Sequence, residues 1–384
     1  MNTELGDTGG FKGNFTSTLR ADGHTFRVQH GAIIVATGGV EYKGREYGYG
    51  SDPRILTQQE FESNLGVGRQ GRVNSESESH STALLSDQSA TLPSSVVMIQ
   101  CVGPGEKYCS RLCCTTALKN ALELKALNPD ADVTILYRDI RTYGFKERLY
   151  TEARRAGVKF IHYEFDRKPE VQSGYGKEPM VSGEPPSDIC VKVWEPYLGR
   201  ELELHPDLLV LSTPVIPPKG VRELASTLKL PIDIDGFFLE AHVKLRPVDF
   251  AAEGVFMAGT AHYPKFLDET IAQAQAAASR AASILAQKSM LTNARVAVVD
   301  SEKCVGCLTC VRICPYDVPR VTANFSGVGN ILGAAFIEPA ICHGCGSCAS
   351  ECPARAIQLM HYQDAQTFIK LDALFGQDNK MVFS

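Results

Sequence analysis

Cys304-Val-Gly-Cys307-Leu-Thr-Cys310-Val-Arg-Ile-Cys314-Pro315 is followed by a near-copy, Cys342-His-Gly-Cys345-Gly-Ser-Cys348-Ala-Ser-Glu-Cys352-Pro353. In each run three thiolates share one tight loop, which suits them to hold three irons of a cubane. The fourth cysteine stands off by three residues and precedes proline, so it points away from its own loop and toward the other cluster. The expected ligand sets are crossed: Cys304, Cys307, Cys310 and Cys352 for one 4Fe-4S cluster, Cys342, Cys345, Cys348 and Cys314 for the second. Zinc ribbons use two separated cysteine pairs, and disulfides would not need this repeat. The spacing implies a chain that moves electrons.

At 384 residues the chain has room for two to three domains with full cores. A net charge of -5, with both signs intermixed, argues against a nucleic-acid surface. No apolar run reaches the roughly 18 residues of a membrane span, and MNTELGDTGGFKGNF lacks the features of a signal peptide. Twelve of the thirteen cysteines fall into groups with ligand-like spacing. Thiolate ligands to iron call for a reducing compartment, hence the cytoplasm. Cys190, on the strand-like DICVKVW, reads as an inert buried thiol.

Residues 11–35 alternate in short β-like runs and end in the apolar Ala32-Ile33-Ile34-Val35, followed by Ala36-Thr37-Gly38-Gly39. The polar stretch 64–93 reads as a loop. From 94 a strand–helix–strand–helix–strand order, closed by the strand Leu208-Leu209-Val210-Leu211, predicts a doubly wound α/β unit with a parallel sheet. The strand Val255-Phe256-Met257-Ala258 leads through Gly259-Thr260 to an Ala-rich helix from about Asp268 that carries Thr270. Ala36-Thr37-Gly38 and Gly254-Val255-Phe256-Met257-Ala258-Gly259 resemble paired segments of the thioredoxin-reductase-like flavoproteins. With that resemblance the expected division is 1–63, part of an FAD-binding domain; 64–93, a loop; 94–218, a second α/β domain; 219–291, the rest of the FAD-binding domain; 292–362, an α+β two-cluster ferredoxin; and 363–384, a tail.

Gly66-x-Gly68-x-x-Gly71 matches the dinucleotide fingerprint as text, but it follows no strand and opens no helix, so it reads as loop glycine. The strand-to-helix turn of 94–218 instead carries Cys101-x7-Cys109-x3-Cys113-Cys114. Four thiols within so short a turn suit a third 4Fe-4S cluster, a redox disulfide or zinc.

The segments QCVGPGEKYCSRLCCTTALKNALELKALNPDADVTILYRDIRTYG, GAIIVATGGVEYKGREYGYGSDPRILTQQEFE and AGTAHYPKFLDETIAQAQAAASRAA resemble the A-subunit family of heterodisulfide reductase over residues 11–365. The resemblance implies a multi-cluster iron–sulfur flavoprotein component in which Cys101, Cys109, Cys113 and Cys114 bind a 4Fe-4S cluster. It implies thioredoxin-reductase-like α/β domains in which Ala36, Thr37, Gly38, Gly259, Thr260 and Thr270 frame FAD. Lys119 is the position whose lysine approaches flavin N5, with Lys265 a lesser candidate; Thr260 stands where many thioredoxin-reductase-like flavoproteins carry Asp. The family's Gly-rich ADP-binding turn precedes the strand GAIIVATG, so FAD binding is expected to need a segment that this chain lacks. Implied partners are other heterodisulfide-reductase-like subunits and a hydrogenase-, dehydrogenase- or ferredoxin-type donor. A flavin-free iron–sulfur relay is the alternative.

Overall fold

The computed structural model describes residues 3–69, 92–103, 109–174, 188–289 and 295–375. The chain divides into two compact units, Met1–Ile33 with Arg280–Ser384, and Ile34–Ser279. The first begins with an antiparallel meander of Thr3–Phe11 (β1), Asn14–Ala21 (β2) and His24–His30 (β3). Its second hairpin turns on Asp22 and Gly23, with φ 48 and 78, the left-handed pair that fits a two-residue loop to twisted strands. The sequence pattern does not reveal β1, and the meander belongs with the ferredoxin unit rather than with a flavin domain.

The second unit opens with Ile33–Val35 (β4), Val40–Glu41 (β5), Ile55–Thr57 (β6) and the helix Gln58–Arg69 (α1). Thr57 and Glu60 cap α1 reciprocally: Thr57 N donates to Glu60 Oε2 at 3.0 Å and Glu60 N to Thr57 Oγ1 at 3.3 Å. Gly66 and Gly68 therefore lie in a helix rather than a loop, and the expected boundary at 64 falls inside it. Ser95–Ile99 (β7), Leu112–Leu127 (α2), Asp132–Tyr137 (β8), Glu147–Arg155 (α3) and Lys159–His162 (β9) follow. Then come Glu170–Ser173 (β10), Ile189–Glu195 (β11), Arg200–Leu204 (β12) and Leu208–Leu211 (β13). A parallel sheet in the order β6-β13-β7-β8-β9 forms the centre, so β6 joins this domain rather than the flavin part expected from the sequence.

Alternation along the strands fills both faces of that sheet. Val96 and Met98 meet Phe61 and Leu65 of α1 and Leu118 and Leu124 of α2 on one face. Val97 and Ile99 meet Ile189, Val191 and Val193 of β11 on the other, under the antiparallel sheet β10-β11-β12. Each such fully buried aliphatic side chain contributes about 1.5–3 kcal/mol. Cys190 alternates out of that core: it sits half-exposed on the outer face of β11, not among apolar neighbours as its strand-like setting suggests.

Val215–Ile216 (β14) pairs with β5, and Val255–Met257 (β15) with β4. Val221–Leu228 (α4) precedes β15, and Leu267–Leu285 (α5) follows it. The ferredoxin segment comprises Ala297–Val299 (β16), Thr309–Ile313 (α6), Arg320–Ser326 (β17), Leu332–Phe336 (β18), Ser347–Ser350 (α7) and Ile357–Leu359 (β19), with β16 paired to β19 and β17 to β18. Asp364–Phe375 (α8) makes the expected tail partly helical; the strand-like NKMVFS lies outside the described residues. No helix among the described residues is long and apolar enough to cross a membrane.

Candidate functional site

The two cysteine runs fold as near-copies, residue for residue. Gly306 and Gly344 both take φ 66, Leu308 and Gly346 take φ 62 and 84, and Asp317 and Arg355 take φ 51 and 47. These left-handed residues curl each loop so that its three thiols face inward. Cys304, Cys307 and Cys310 line a cavity, and the fourth cysteine on its wall is Cys352, beside Pro353. Cys348 is pushed up to about 11 by burial and then by the neighbouring thiols Cys342, Cys345 and Cys314. Each run thus meets the final cysteine of the other.

Backbone amides also point at the sulfurs. Ala335 N donates to Cys304 Sγ at 3.4 Å, Ala297 N to Cys342 Sγ at 3.3 Å and Ala356 N to Cys352 Sγ at 3.3 Å. Thr309 beside Cys307, and Ser347 beside Cys345, hold those two thiols below their ordinary range by hydrogen bonding. Tyr316 stacks on His343 at 3.9 Å and 16°, joining the end of the first run to the start of the second.

The other four thiols gather at the carboxyl ends of β7, β8 and β13, the crevice where open α/β sheets bind ligands. Cys113 Sγ donates to Thr213 O and Cys114 Sγ to Asp139 O, each at 3.6 Å, while Arg111 N donates to Cys109 Sγ at 3.4 Å. Cys101 takes φ 58 just beyond β7. Burial, then the other thiols of the group, raises Cys113 and leaves Cys114 at about 11. Burial also raises Cys101, against the opposing pull of Arg138. None of the thirteen cysteines is in a disulfide.

Nearby, the turns after β4 and β15 pack together. Ala258 N donates to Val35 O at 3.0 Å, leading into Ala36 and Thr37. A Cβ on Gly39 would meet Val215 Cγ1 at 2.6 Å and Thr260 Cβ at 3.6 Å, and one on Gly259 would meet Thr270 Cγ2 at 3.4 Å. Gly38 takes φ 76 and faces Thr260 Oγ1. Buried Lys265 donates to Gly259 O at 2.9 Å and Gln273 Oε1 at 2.6 Å, and burial brings it down to about 8. His262 Nε2 lies 2.7 Å from Glu240 Oε2 and its Nδ1 2.8 Å from Gln273 Nε2, so Nε2–H donates and Nδ1 accepts.

Six of the expected flavin contacts therefore share one junction with Lys265. Lys119 is held elsewhere: two turns along α2, it pairs with Glu62 Oε1 of α1 at 2.5 Å and is half-exposed. Sequence reasoning missed Arg111, whose guanidinium donates to Tyr143 Oη, to Glu269 Oε2 at 2.8 Å and to Pro264 O at 3.4 Å. It ties the cysteine turn to the start of α5. Its place between Cys109 and Cys113 was the available signal.

Residues 297–320 and 335–358 match the family model of the 4Fe-4S binding domain. The chain is 33% identical over 379 residues to the A subunit of ferredoxin:CoB-CoM heterodisulfide reductase from Methanosarcina acetivorans, covering 92% of this chain and 45% of that protein. To the iron-sulfur A subunit of CoB-CoM heterodisulfide reductase from Methanocaldococcus jannaschii it is 34% identical over 367 residues, covering 92% and 52%. Among solved structures it is similar to thioredoxin reductase of T. acidophilum, at 15% identity, 74% and 72% coverage and a TM-score of 0.40. The chain spans about half the length of the curated relatives it matches. Over most of its own length, then, the chain is similar to proteins named as the A subunit of heterodisulfide reductase.

Proposed function

We propose that this chain is the electron-carrying part of an oxidoreductase subunit of heterodisulfide-reductase type, with three 4Fe-4S clusters and a site for the isoalloxazine end of FAD. The observation that carries the reading is the cavity walled by Cys304, Cys307, Cys310 and Cys352, an all-thiolate donor set drawn from both runs. Cys342, Cys345, Cys348 and Cys314 would hold the second cluster. The Cys101, Cys109, Cys113 and Cys114 group would hold the third, where Arg138 and Arg141 supply positive charge. Such clusters, when bound, supply one-electron steps at potentials set by amide hydrogen bonds to sulfur and by exposure.

For FAD the fit is partial. The Ala36–Gly38, Gly259–Thr260, Thr270 and Lys265 junction offers backbone and a buried ammonium to a flavin ring. Among the described residues no Gly-rich strand-to-helix turn is present to cradle the pyrophosphate. Arg111, shared between the cysteine turn and α5, keeps the third cluster's loop beside that junction. Electrons would pass between flavin, clusters and neighbouring subunits of the complex, fed by a hydrogenase-, dehydrogenase- or ferredoxin-type donor.

Anaerobic reconstitution followed by iron, sulfide and flavin analysis tests this. About twelve irons per chain, four for each cubane, are expected, with weak flavin uptake by this chain alone. About eight irons, with Cys101, Cys109, Cys113 and Cys114 open to alkylation, would remove the third cluster. Full iron without flavin, even when the relatives' Gly-rich segment is supplied, would favour the flavin-free relay.

A further inference from the structure

The outer face of the β10-β11-β12 sheet carries a group that none of the iron–sulfur sites uses. One ligand atom each from Cys190, Glu203 and His205 lie within 4.8 Å of one another. Cys190 Sγ donates to Glu203 Oε1 at 3.1 Å, and His205 Nε2 lies 3.6 Å from the same oxygen. The strands explain the placement. Ile189, Val191 and Val193 of β11 turn into the core, so Cys190 and Lys192 face outward. On β12, Glu203 stands opposite Lys192 and Leu204 opposite Val191, which brings His205, one residue on, across from Cys190. Pro206 follows His205 and favours extended backbone there, prolonging the line of the strand.

We propose that Cys190, Glu203 and His205 form a three-ligand site for a zinc-like divalent ion. Thiolate, imidazole and carboxylate are the donors zinc takes, and the sulfur and nitrogen favour it over magnesium or calcium. Three protein ligands leave a fourth tetrahedral position for water or a group from another molecule. On binding, the Cys190 S–H bond is exchanged for a sulfur–metal bond and the proton leaves to solvent; no electron moves.

The test uses the protein with its iron–sulfur clusters in place, dialysed anaerobically against buffered free zinc and analysed for both metals. Wild type is expected to retain about one zinc per chain beyond its iron, with affinity weakened at least about tenfold in C190S and in H205A. Iron content and cluster EPR should be the same in all three. Zinc X-ray absorption should give one sulfur at about 2.3 Å with nitrogen and oxygen at about 2.0–2.2 Å. Zinc uptake unchanged in both variants, no zinc retained by wild type, or a four-sulfur zinc signature would each overturn the proposal.

Discussion

Replacing Gly344 by alanine is expected to empty one cluster site, whereas the same change at Gly306 is not. Both glycines hold the same place in their runs, with φ 66. The left-handed backbone costs alanine about 1–2 kcal/mol at either position. The surroundings differ: a Cβ on Gly344 would stand 2.2 Å from Arg295 O and 3.1 Å from Arg295 C, whereas on Gly306 the nearest atom is Gly333 O at 3.1 Å. At Gly344 backbone must therefore give way, which overpacking puts at a further ~1–3 kcal/mol. G306A should cost about 1–2 kcal/mol and G344A about 2–5 kcal/mol, concentrated in the loop that carries Cys342 and Cys345. After anaerobic reconstitution, G344A should hold about four irons fewer than wild type and lose one cluster signal by EPR, while G306A keeps its full complement. Equal losses in the two variants, or full loading of G344A, would refute the steric reasoning.

C314S should damage the cluster served by Cys342, Cys345 and Cys348 and spare that of Cys304, Cys307 and Cys310; loss of the latter in EPR would mean that the pairing is not crossed. Lys265 is brought from 10.5 to about 8 by burial, so the folded protein gives up this proton more readily than the unfolded chain. Stability is then lowest below about pH 8 and rises toward about pH 10.5, by on the order of 3 kcal/mol in all. K265M should lack that rise when denaturation is compared at about pH 7.5 and about pH 9.5; parallel pH dependence in both proteins would show that the charge carries no penalty. Tyr163 donates to Gln100 O at 2.6 Å in the core. Y163F leaves that carbonyl unpaired and should cost about 1–3 kcal/mol by urea titration.

What could be read from the sequence is what local geometry decides. The meeting of Cys352 with Cys304, Cys307 and Cys310 was legible in the spacing of the two runs, and α5 in its run of alanines. Gly66 and Gly68 misled, since each glycine costs a helix about 1 kcal/mol. Burial of Phe61 and Leu65, four residues apart, outweighs that cost, and the Thr57-x-x-Glu60 box was the overlooked sign. The place of β6 beside β13 rests on pairing across a long stretch of chain, which no short pattern encodes. The outward turn of Cys190 follows from the alternation of β11, once one knows that Ile189 and Val191 face the sheet. Lys119 and Lys265 could be ranked only by burial: one is spent on a surface carboxylate, the other enclosed beside Gly259.

A duplicated segment ordinarily leaves its two copies free to drift apart, since either can fail without the other. Here Cys352, from the second copy, closes the cavity of the first. Deleting either half would therefore open the remaining one, and neither copy is a smaller working version of the pair. On the proposed crossed assignment, shortening the chain by one run would forfeit two electron carriers, not one.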